Sequence, residues 1–579
     1  MTDPRPQLTV VRRYGPVVGI VVALVVMSAV AAVGNGRDGT EAVRAEGVGG
    51  LGASGVESAG APRGVTSWSQ AEAAGTTGEI EWGERCDTER GRLAYPARHP
   101  PECYARFEGD NGGATTPGVT GDEVTVVLYQ SQEHDPIVDY ITGAVGSHDS
   151  NAAMARTLRG WRELYETYFE TYGRKVRLVT YTGTGMANDD VAARADATEV
   201  AEQRHPFAVI GGPLLSSAFG DALVNRGIVC LDCMPDQRNA YLEAHAPYVV
   251  SWHIGPDQAD RHVAEYVGKQ LQGRKASHAG DPELRRRTRR FGIVHLTGGH
   301  DGDDLRPLEA ALADQGVTLD QAVAYASPVD VQRDAPAVIA RLRAAGVTSV
   351  LFAGDPIAPA ALTRAATDQG WFPEWIVVGA GYTDSTLFAR TYDQRQWAHA
   401  FGVTFLPARV DPDRDADSDA GGEADGTTDL YRWFHGEAPP AASAGLTVLD
   451  LELLYGGLQG AGPDLTPASF QQALFAGPPT PAGDVTFPVL SWGDHGFWPF
   501  PDHGGIDDAT LVWWNPEARG PDEAGEQGAG MYEYVDGGRR YLPGEWPTEP
   551  LPVFEPAGAV ALYDRPPVAA ALDDAGAPP

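Results

Sequence analysis

The chain has 579 residues, of which 79 are acidic and 44 are basic, and its formal net charge is −35. It is too long for one ordinary domain and long enough to bury a large core. Because its negative charge repels nucleic acid and anionic membrane surfaces, neither is expected as the main partner.

The first informative element is an apolar run from Pro16 to Val33, eighteen residues without a charge. This length can cross a bilayer, and three arginines precede it, so the amino terminus is expected inside and the rest of the chain outside. Small residues between Ala29 and Ala32 also suit a signal peptidase, so a retained anchor and a cleaved signal peptide both stay open. Either way, the bulk of the chain is expected to be extracytoplasmic.

The four cysteines come as two close pairs, Cys86 with Cys103 and Cys230 with Cys233. In an exported chain each pair predicts a disulfide. The Cys230-Leu-Asp-Cys233 motif also admits a redox site or half a zinc site. It ends an apolar run instead of opening a helix, and no second pair at zinc spacing accompanies it, so a structural disulfide is favoured.

After residue 118, short apolar runs alternate with amphipathic stretches. The clearest helix is expected over 151–172, where apolar and aromatic side chains recur at helical spacing behind a capping Ser150; two more are expected over 189–204 and 216–226. Because helices separate the strands, the sheet is expected to be parallel and doubly wound. Its strands are predicted at 124–129, 175–181, 207–212 and 227–232.

The same alternation restarts after an apolar run at 248–254. Strands are predicted at 291–296, 323–327, 349–354 and 374–380, with helices over 302–315, 333–345 and 356–369. Two similar sets predict an α/β protein of two doubly wound lobes, with hinge segments near Trp252–Pro256 and Thr404–Ala408. The expected divisions are an N-terminal segment 1–33, a Gly/Ala-rich linker 34–80, a disulfide-containing lead-in 81–118, a first lobe of 119–252 plus about 409–480, a second lobe of 253–408 plus about 481–545, and a flexible tail 546–579.

Three further segments carry unusual composition. Residues 274–290 form a basic surface loop, and residues 411–426 form an acidic one. The acidic loop fails the EF-hand pattern, since Ala416 and Gly422 stand where that loop needs Gly and Glu, so a disordered loop is expected, with weak calcium binding left open. An aromatic segment at 492–505 is expected to pack on a lobe. A metal cluster drawn from its Asp494, His495, Asp502 and His503 is the less favoured alternative, and neither a metal nor a cofactor is expected.

Several stretches, in their order and spacing, resemble the type I periplasmic binding proteins, and in particular the branched-chain amino-acid class of ABC-transporter solute-binding proteins. They are VIGGPLLSSAFGDALVNRGIVCLD, YVVSWHIGPDQADRHVAEYV and ARLRAAGVTSVLFAGDPIAPAALTRAATDQGW. The resemblance covers most of residues 119–480. It implies that a ligand binds between the lobes at the carboxyl ends of the strands, where a doubly wound sheet also places ligands on physical grounds.

Carried onto this chain, the resemblance implies a binding site made of strand-end loops. Ser216 and Ser217 are the foremost candidates, because they resemble the serine-bearing loop of the family and precede a helix whose N–H groups suit a carboxylate. A simple capping role for these serines is the alternative. The full set of candidates is Tyr129, Ser131, Gln132, Gly212, Ser216, Ser217, Asp232, His300, Asp301, Asp355 and Tyr382.

One position departs from the family pattern. An amino-acid ligand needs an acidic acceptor for its ammonium group, yet Asp384 stands several residues from the expected place. Asp355 or Asp301 could substitute for it. The loop at 129–150 is also longer than a minimal one, which would leave room for a larger ligand.

The sequence thus predicts an exported protein, without catalytic activity, that binds a small polar ligand, such as an amino acid or a short peptide, for an ABC permease. A membrane-tethered sensor ectodomain without transport is the second hypothesis. A hydrolase is the third, although the chain has no Gly-x-Ser-x-Gly, His-Glu-x-x-His or Walker motif.

Overall fold

The computed structural model describes residues 64–97, 99–136, 138–139, 149–234, 237–297, 304–326, 328–410, 427–441, 445–523 and 525–564. The apolar run 16–33, the acidic loop 411–426 and the candidates His300 and Asp301 lie outside these ranges. Across the described ranges, no helix combines the length and apolar character needed to span a membrane.

A small N-terminal unit precedes the two lobes. It contains helix α1 (Trp68–Ala74) and the antiparallel strands β1 (Cys86–Asp87) and β2 (Arg92–Leu93). Ser67 caps α1 in a reciprocal arrangement with Gln70. The predicted disulfide between Cys86 and Cys103 is confirmed, with Cα atoms 5.6 Å apart. Part of the stretch predicted to be a linker is therefore folded.

The first lobe is built on a five-stranded sheet whose neighbouring strands are all parallel, as predicted. Its order is β4-β3-β5-β6-β7. The strands are β3 (Glu123–Gln130), β4 (Lys175–Thr182), β5 (Ala208–Ile210), β6 (Val229–Leu231) and β7 (Val249–Val250).

Four helices connect these strands: α2 (Asn151–Tyr168), α3 (Asp190–Arg204), α4 (Ala218–Val224) and α5 (Asn239–Ala244). The predicted cap of α2 is confirmed, because Ser150 Oγ accepts a hydrogen bond from the Ala153 amide at 3.2 Å. The aromatic stripe of α2 is buried against the sheet, with Trp161 and Tyr165 each 2% exposed. It is core, as expected from its spacing.

The second lobe has a seven-stranded sheet in the order β14-β13-β12-β11-β10-β8-β9. Five strands are parallel: β8 (Phe291–Leu296), β9 (Leu319–Tyr325), β10 (Ser349–Ala353), β11 (Glu374–Val378) and β12 (Ala400–Thr404). The antiparallel hairpin β13 (Thr510–Pro521) and β14 (Gln527–Tyr534) completes the sheet. Its helices are α6 (Pro256–Tyr266), α7 (Arg306–Asp314), α8 (Pro328–Ala344), α9 (Ala358–Asp368), α10 (Thr386–Ala389) and α11 (Gln394–Trp397).

The chain then returns to the first lobe. Helices α12 (Thr427–His435), α13 (Gly445–Ala461) and α14 (Pro467–Ala476) bury their apolar side chains in the same core cluster as β3 and α2. Each lobe is therefore made from separate stretches of the chain. The chain passes between the lobes after β7, after β12 and after α14.

The passages after β7 and after α14 lie side by side. The Ser251 amide donates to the His503 carbonyl at 3.2 Å, and Trp492 Nε1 donates to the Ser251 carbonyl at 2.7 Å. The aromatic segment at 492–505 therefore packs at the junction of the lobes. We call the strip formed by Val249–Pro256, 404–410 and 489–508 the crossing strip.

The C-terminal part differs from the flexible tail expected after residue 545. Trp546 is 1% exposed and stacks on Tyr541, and its carbonyl accepts a hydrogen bond from Lys269 at 2.9 Å. Val553 is also buried. Residues 546–564 thus cover the second lobe. Their composition suggested exposure to solvent, but they pack against α6 instead.

Candidate functional site

The predicted site residues lie at the carboxyl ends of the strands in both lobes. Arg238, which follows β6 of the first lobe, fixes these two edges next to each other. Its guanidinium donates to Asp257 at 2.9 Å, to Asp260 at 2.8 Å and to the carbonyl of Asp304 at 2.7 Å, all in the second lobe. Burial raises the pKa of Asp260 to about 6, although Arg238 favours its charged form. No pattern in the sequence predicted this contact between the lobes.

The two serines after β5 have different surroundings. Ser216 is buried, and its hydroxyl donates to Asp190 at 2.6 Å while accepting from the Ala218 amide at 3.2 Å. Ser217 is half-buried at the start of α4, and among the described residues its hydroxyl has no hydrogen-bond partner. Ser217 is therefore the serine whose hydroxyl is available to a ligand, and Ser216 holds the loop in place.

The candidates at the carboxyl end of β3 differ in how deeply their side chains are buried. Tyr129 is 9% exposed, and its ring packs 4.7 Å from Phe219, so it lies mainly in the core beneath the edge. Ser131 is fixed through its carbonyl, which accepts from the Asn151 side chain at 2.9 Å. The side chains of Ser131 and Gln132 are half-buried and make no hydrogen bond within the described chain. They remain candidates for ligand contact.

The loops after β5 and β6 are in close contact. A Cβ atom at Gly212 would lie 2.5 Å from the Cys233 carbonyl oxygen, so only glycine allows this approach. Cys230 and Cys233 form the second predicted disulfide, which is confirmed, and both are buried. This disulfide braces the end of β6, the structural role favoured from the sequence.

Asp232 has a left-handed backbone, with φ of 49°, and lies beside a second carboxyl group. Its side chain bonds to that of Asp450 on α13, and burial together with Asp232 raises the pKa of Asp450. Because Asp232 already lies beside a second carboxyl group, this position is a poor site for a ligand carboxylate. Asp450 was not predicted, because it lies 218 positions away in the sequence.

The acidic candidates of the second lobe are engaged in holding the fold. Asp355 accepts from the amides of Ile357 at 2.8 Å and Ala358 at 3.0 Å, and from the Tyr325 hydroxyl at 2.5 Å. Asp384 is 5% exposed and accepts from Thr404, and burial raises its pKa to about 6. Neither carboxylate is presented as an open acceptor for an ammonium group.

Exposed apolar side chains line the same edges. Leu214 and Leu215, in the loop after β5, are 46% and 47% exposed, and Val191 at the start of α3 is 78% exposed. Across the facing edge, Tyr382 after β11 is 51% exposed. These four are the large hydrophobic side chains most open to solvent in the described chain; three lie in strand-end loops, and Val191 lies in the first turn of α3. We call Val191, Leu214, Leu215 and Tyr382 the apolar rim.

Of the apolar rim, only Tyr382 was among the candidates from sequence. The signal for Leu214 and Leu215 was present in the stretch Gly-Gly-Pro-Leu-Leu-Ser-Ser, where two leucines occupy a loop that needs neither for a core. Grouped exposed hydrophobic residues are typical of surfaces that bind something.

The alternative metal cluster of the aromatic segment is not assembled as one site. Asp502 accepts from the Gly493 amide at 3.0 Å, and Asp507 accepts from Trp498 Nε1 at 2.7 Å. His495 contacts the Trp492 carbonyl at 3.0 Å. Within the described ranges, no three His, Cys, Asp or Glu side chains are grouped as metal ligands.

A family model described as periplasmic binding protein matches residues 137–519, well over half of the chain. The chain belongs to the periplasmic binding protein family. The α/β fold with two parallel-sheet lobes, predicted from the sequence, is the fold of this family. A comparison with curated proteins gives no match.

Solved structures to which the chain is similar at low identity include the following three. A leucine-, isoleucine-, valine-, threonine- and alanine-binding protein from Brucella ovis is 12% identical with a TM-score of 0.48, over 75% of this chain and 100% of that one. A fatty acid ABC transporter substrate-binding protein from Thermomonospora curvata is 16% identical with a TM-score of 0.46, over 72% and 92%. A solute-binding protein from Rhodopseudomonas palustris in complex with 3,4-dihydroxybenzoic acid is 10% identical with a TM-score of 0.47, over 73% and 98%.

Proposed function

We propose that this protein is the extracytoplasmic solute-binding component of an ABC transporter and that it binds a small molecule between its two lobes. Membership of the periplasmic binding protein family supports this function. The apolar rim carries the proposal for the ligand class, because it offers a hydrophobic surface at both facing edges. A ligand with one polar end and a substantial apolar part fits this site better than a wholly polar one.

The polar end is proposed to contact Ser217 and the half-buried Ser131 and Gln132, whose side chains are otherwise without partners in the described structure. Since Asp355 and Asp384 already hold their own structural partners, no acceptor is reserved for an ammonium group. A carboxylate without an amino group is therefore the proposed form of the ligand. The proposed ligand therefore differs from the amino acid or short peptide expected from the sequence, because it lacks an ammonium group.

Calorimetric titration with two matched series tests the ligand class. One series is linear carboxylates of increasing length, and the other is the α-amino acids with the same side chains. Affinity should rise up to about fourfold per added methylene, since each buried CH₂ contributes roughly 0.8 kcal/mol. The carboxylates should bind at least as well as the amino acids. No binding across a broad panel, or affinity independent of chain length, would contradict the proposal.

Two variants separate the apolar and polar contacts. Leu214→Ser with Leu215→Ser should flatten the dependence of affinity on chain length, because it removes half of the apolar rim. Ser217→Ala should weaken every member of a series by a common factor of about five, the effect of one lost hydrogen bond of roughly 1 kcal/mol. Arg333→Gln, which changes an exposed arginine paired with Asp334, is the control and should leave both properties unchanged.

A binding role is proposed in place of catalysis. Ser216, the more buried serine, donates to a carboxylate and not to a histidine, so it lacks the base that activates a serine nucleophile. Incubation with chromogenic esters and amides should give no turnover above that of a denatured sample. Turnover lost on substitution of a single histidine would overturn this assignment.

The location proposed for the chain is the outer face of the cell membrane, held by the apolar run 16–33. Mass spectrometry of the intact protein distinguishes this from release by a signal peptidase. A mature chain that begins at the original amino terminus supports the tether, and one that begins near residue 34 refutes it.

A further inference from the structure

We propose that the basic hairpin at 274–290 is a membrane-contacting surface that binds anionic phospholipid headgroups and orients the tethered protein. This proposal rests on the tether at 16–33 proposed above. It concerns a surface separate from the ligand site. The hairpin carries seven basic and two acidic residues, whereas the whole chain has a net charge of −35.

The hairpin is an ordered part of the second lobe. Lys275 pairs with Thr288 in an antiparallel bridge, and the Arg289 amide donates to the Arg274 carbonyl at 2.9 Å. Between these arms, a turn of 3₁₀ helix places Arg285, Arg286 and Arg287 on the surface, where all three are exposed. The basic residues therefore occupy fixed positions relative to one another.

Five of the seven cations have no carboxylate partner in the described structure, so their charge is not cancelled. Arg285 donates to the carbonyls of Ala279 at 2.5 Å and Gly280 at 3.3 Å, and Arg287 donates to the carbonyl of Gly346 at 3.1 Å. In the described structure neither Lys275 nor Arg286 has a carboxylate partner. Arg289 and Arg290 are the exceptions, because Arg289 pairs with Glu374 and Arg290 pairs with Asp320.

Surface arginines elsewhere in the molecule show the contrast. Arg306 pairs with Asp304 at 2.7 Å, and Arg333 pairs with Asp334 at 2.8 Å. In an acidic chain such neutralisation is the expected state of an exposed arginine. The hairpin concentrates unneutralised positive charge on one surface, and an anionic partner is the chemistry that this surface suits.

The position of the hairpin separates it from the ligand site. Arg290 directly precedes β8, so the hairpin lies at the amino ends of the parallel strands of the second lobe. The apolar rim lies at the carboxyl ends, roughly 20 Å away for a strand of this length. Contact at the hairpin therefore leaves the ligand site open.

The net charge of the chain does not prevent this contact. At physiological ionic strength, charges more than about 8 Å away are largely screened, so the membrane responds to the nearest residues. Arg285, Arg286 and Arg287 lie side by side on the exposed turn, and Lys275 lies on the opposite arm of the hairpin. Such an array suits a surface of many phosphate headgroups, and each Lys or Arg near an anionic leaflet strengthens binding severalfold.

Lysine acylation provides a direct test. The chain has three lysines, and two of them, Lys175 and Lys275, are exposed and lie on different lobes. The full chain is placed in nanodiscs of phosphatidylcholine alone or with phosphatidylglycerol, treated with an amine-reactive ester and analysed by mass spectrometry. The rate of Lys275 modification should be lower by about tenfold in the anionic discs than in the neutral ones. The rate for Lys175 should be the same in both, and 0.5 M salt should remove the difference at Lys275.

Matched variants complete the design. Arg285→Gln, Arg286→Gln and Arg287→Gln together should abolish the protection of Lys275. The control changes Arg90, Arg226 and Arg333 to Gln, removes the same charge elsewhere and should preserve the protection. Equal modification of Lys275 in both lipids overturns the proposal, and so does protection that requires an added transporter protein, which would assign the surface to a protein partner.

Ligand titration on the same discs keeps the two proposals distinguishable. Lipid-dependent protection of Lys275 without any ligand binding would count against the proposed solute-binding function alone. Ligand binding without protection would count against the membrane-contacting surface alone.

Discussion

Ser216 and Ser217 show how neighbouring residues of one type can have separate roles. Ser216→Ala should lower the free energy of unfolding by about 1 kcal/mol, because it removes the donor to Asp190 and the acceptor for Ala218. Ser217→Ala should leave stability unchanged and weaken ligand binding. Thermal denaturation and calorimetry on both variants measure the two effects. The opposite pattern, with Ser216→Ala affecting binding alone, would reverse the assignment.

Glu452 predicts a pH dependence of stability. It accepts a hydrogen bond from Tyr95 at 3.2 Å, and burial raises its pKa to about 7. Since the unfolded chain ionises this group near pH 4, folding becomes less favourable as the pH rises from about 4 to about 7. Glu452→Gln should therefore be more stable than the original protein at pH 8, by roughly 2 kcal/mol, with a smaller difference at pH 5.

Thermal melting between pH 5 and pH 8 measures this difference. Glu283→Gln, on the exposed basic hairpin, serves as the control and should show no pH-dependent gain. A gap between Glu452→Gln and the original protein that narrows as the pH rises would contradict the sign of the effect.

At the residue scale, the sequence predicted which loops carry the candidates but not the state of each side chain. Asp355 stands at a strand end, as expected, yet its oxygens are used by Tyr325 and two amides. Those partners depend on local three-dimensional geometry, which residue type and spacing do not encode. The binding roles themselves remain predictions.

At the element scale, most of the parallel strands were recognisable from short runs of Val and Ile, but β12, β13 and β14 were not. No strand was predicted around Trp513, Trp514 and Tyr532, although these residues form a hairpin that extends the second sheet. A strand that is buried on both faces lacks the alternation of polar and apolar residues by which a half-buried strand is recognised. Strand β12 was missed for the same reason, because all five of its residues are buried.

Gly402, within β12, tests the packing of this sheet. Its φ is 152°, and an added Cβ would overlap the Val377 carbonyl of the adjacent strand. Gly402→Ala should destabilise the protein by about 3 kcal/mol or more through strain and lost strand pairing. Gly456→Ala on α13, where a Cβ meets nothing within 4 Å, is the matched control. It should be neutral or up to about 1 kcal/mol stabilising, as measured by urea denaturation.

At the scale of the whole molecule, two lobes and two hinge segments were predicted from the repeated alternation. The predicted division near residue 480 implies a third passage between the lobes, but 489–508 was not named as a hinge segment, because its partner Ser251 lies 241 positions before Trp492. Pairing over such a distance leaves no local pattern. The contact between lobes through Arg238 was also missed, because no local sequence pattern pairs Arg238 with Asp257, Asp260 and Asp304.

Arg238→Gln should loosen the arrangement of the lobes. It leaves Asp257 and Asp260 of α6 without their cation, and it weakens the link to Asp304. Small-angle scattering without ligand should show a larger radius of gyration, and added ligand should restore the original value. Arg238→Lys keeps the charge but lacks the planar fork, so an intermediate effect is expected. An unchanged radius for Arg238→Gln would show that the crossing strip alone fixes the lobes.

The crossing strip limits the ways in which the lobes can move. Connections that lie side by side bend readily about one shared axis and resist twisting about the others. The lobes can then approach along a single path, which brings Tyr382 back to the same place relative to Leu214 and Leu215 at every closure. If the ligand binds at the apolar rim as proposed, the two lobes would select it by shape, because the gap between Tyr382 and the two leucines would close to the same width each time.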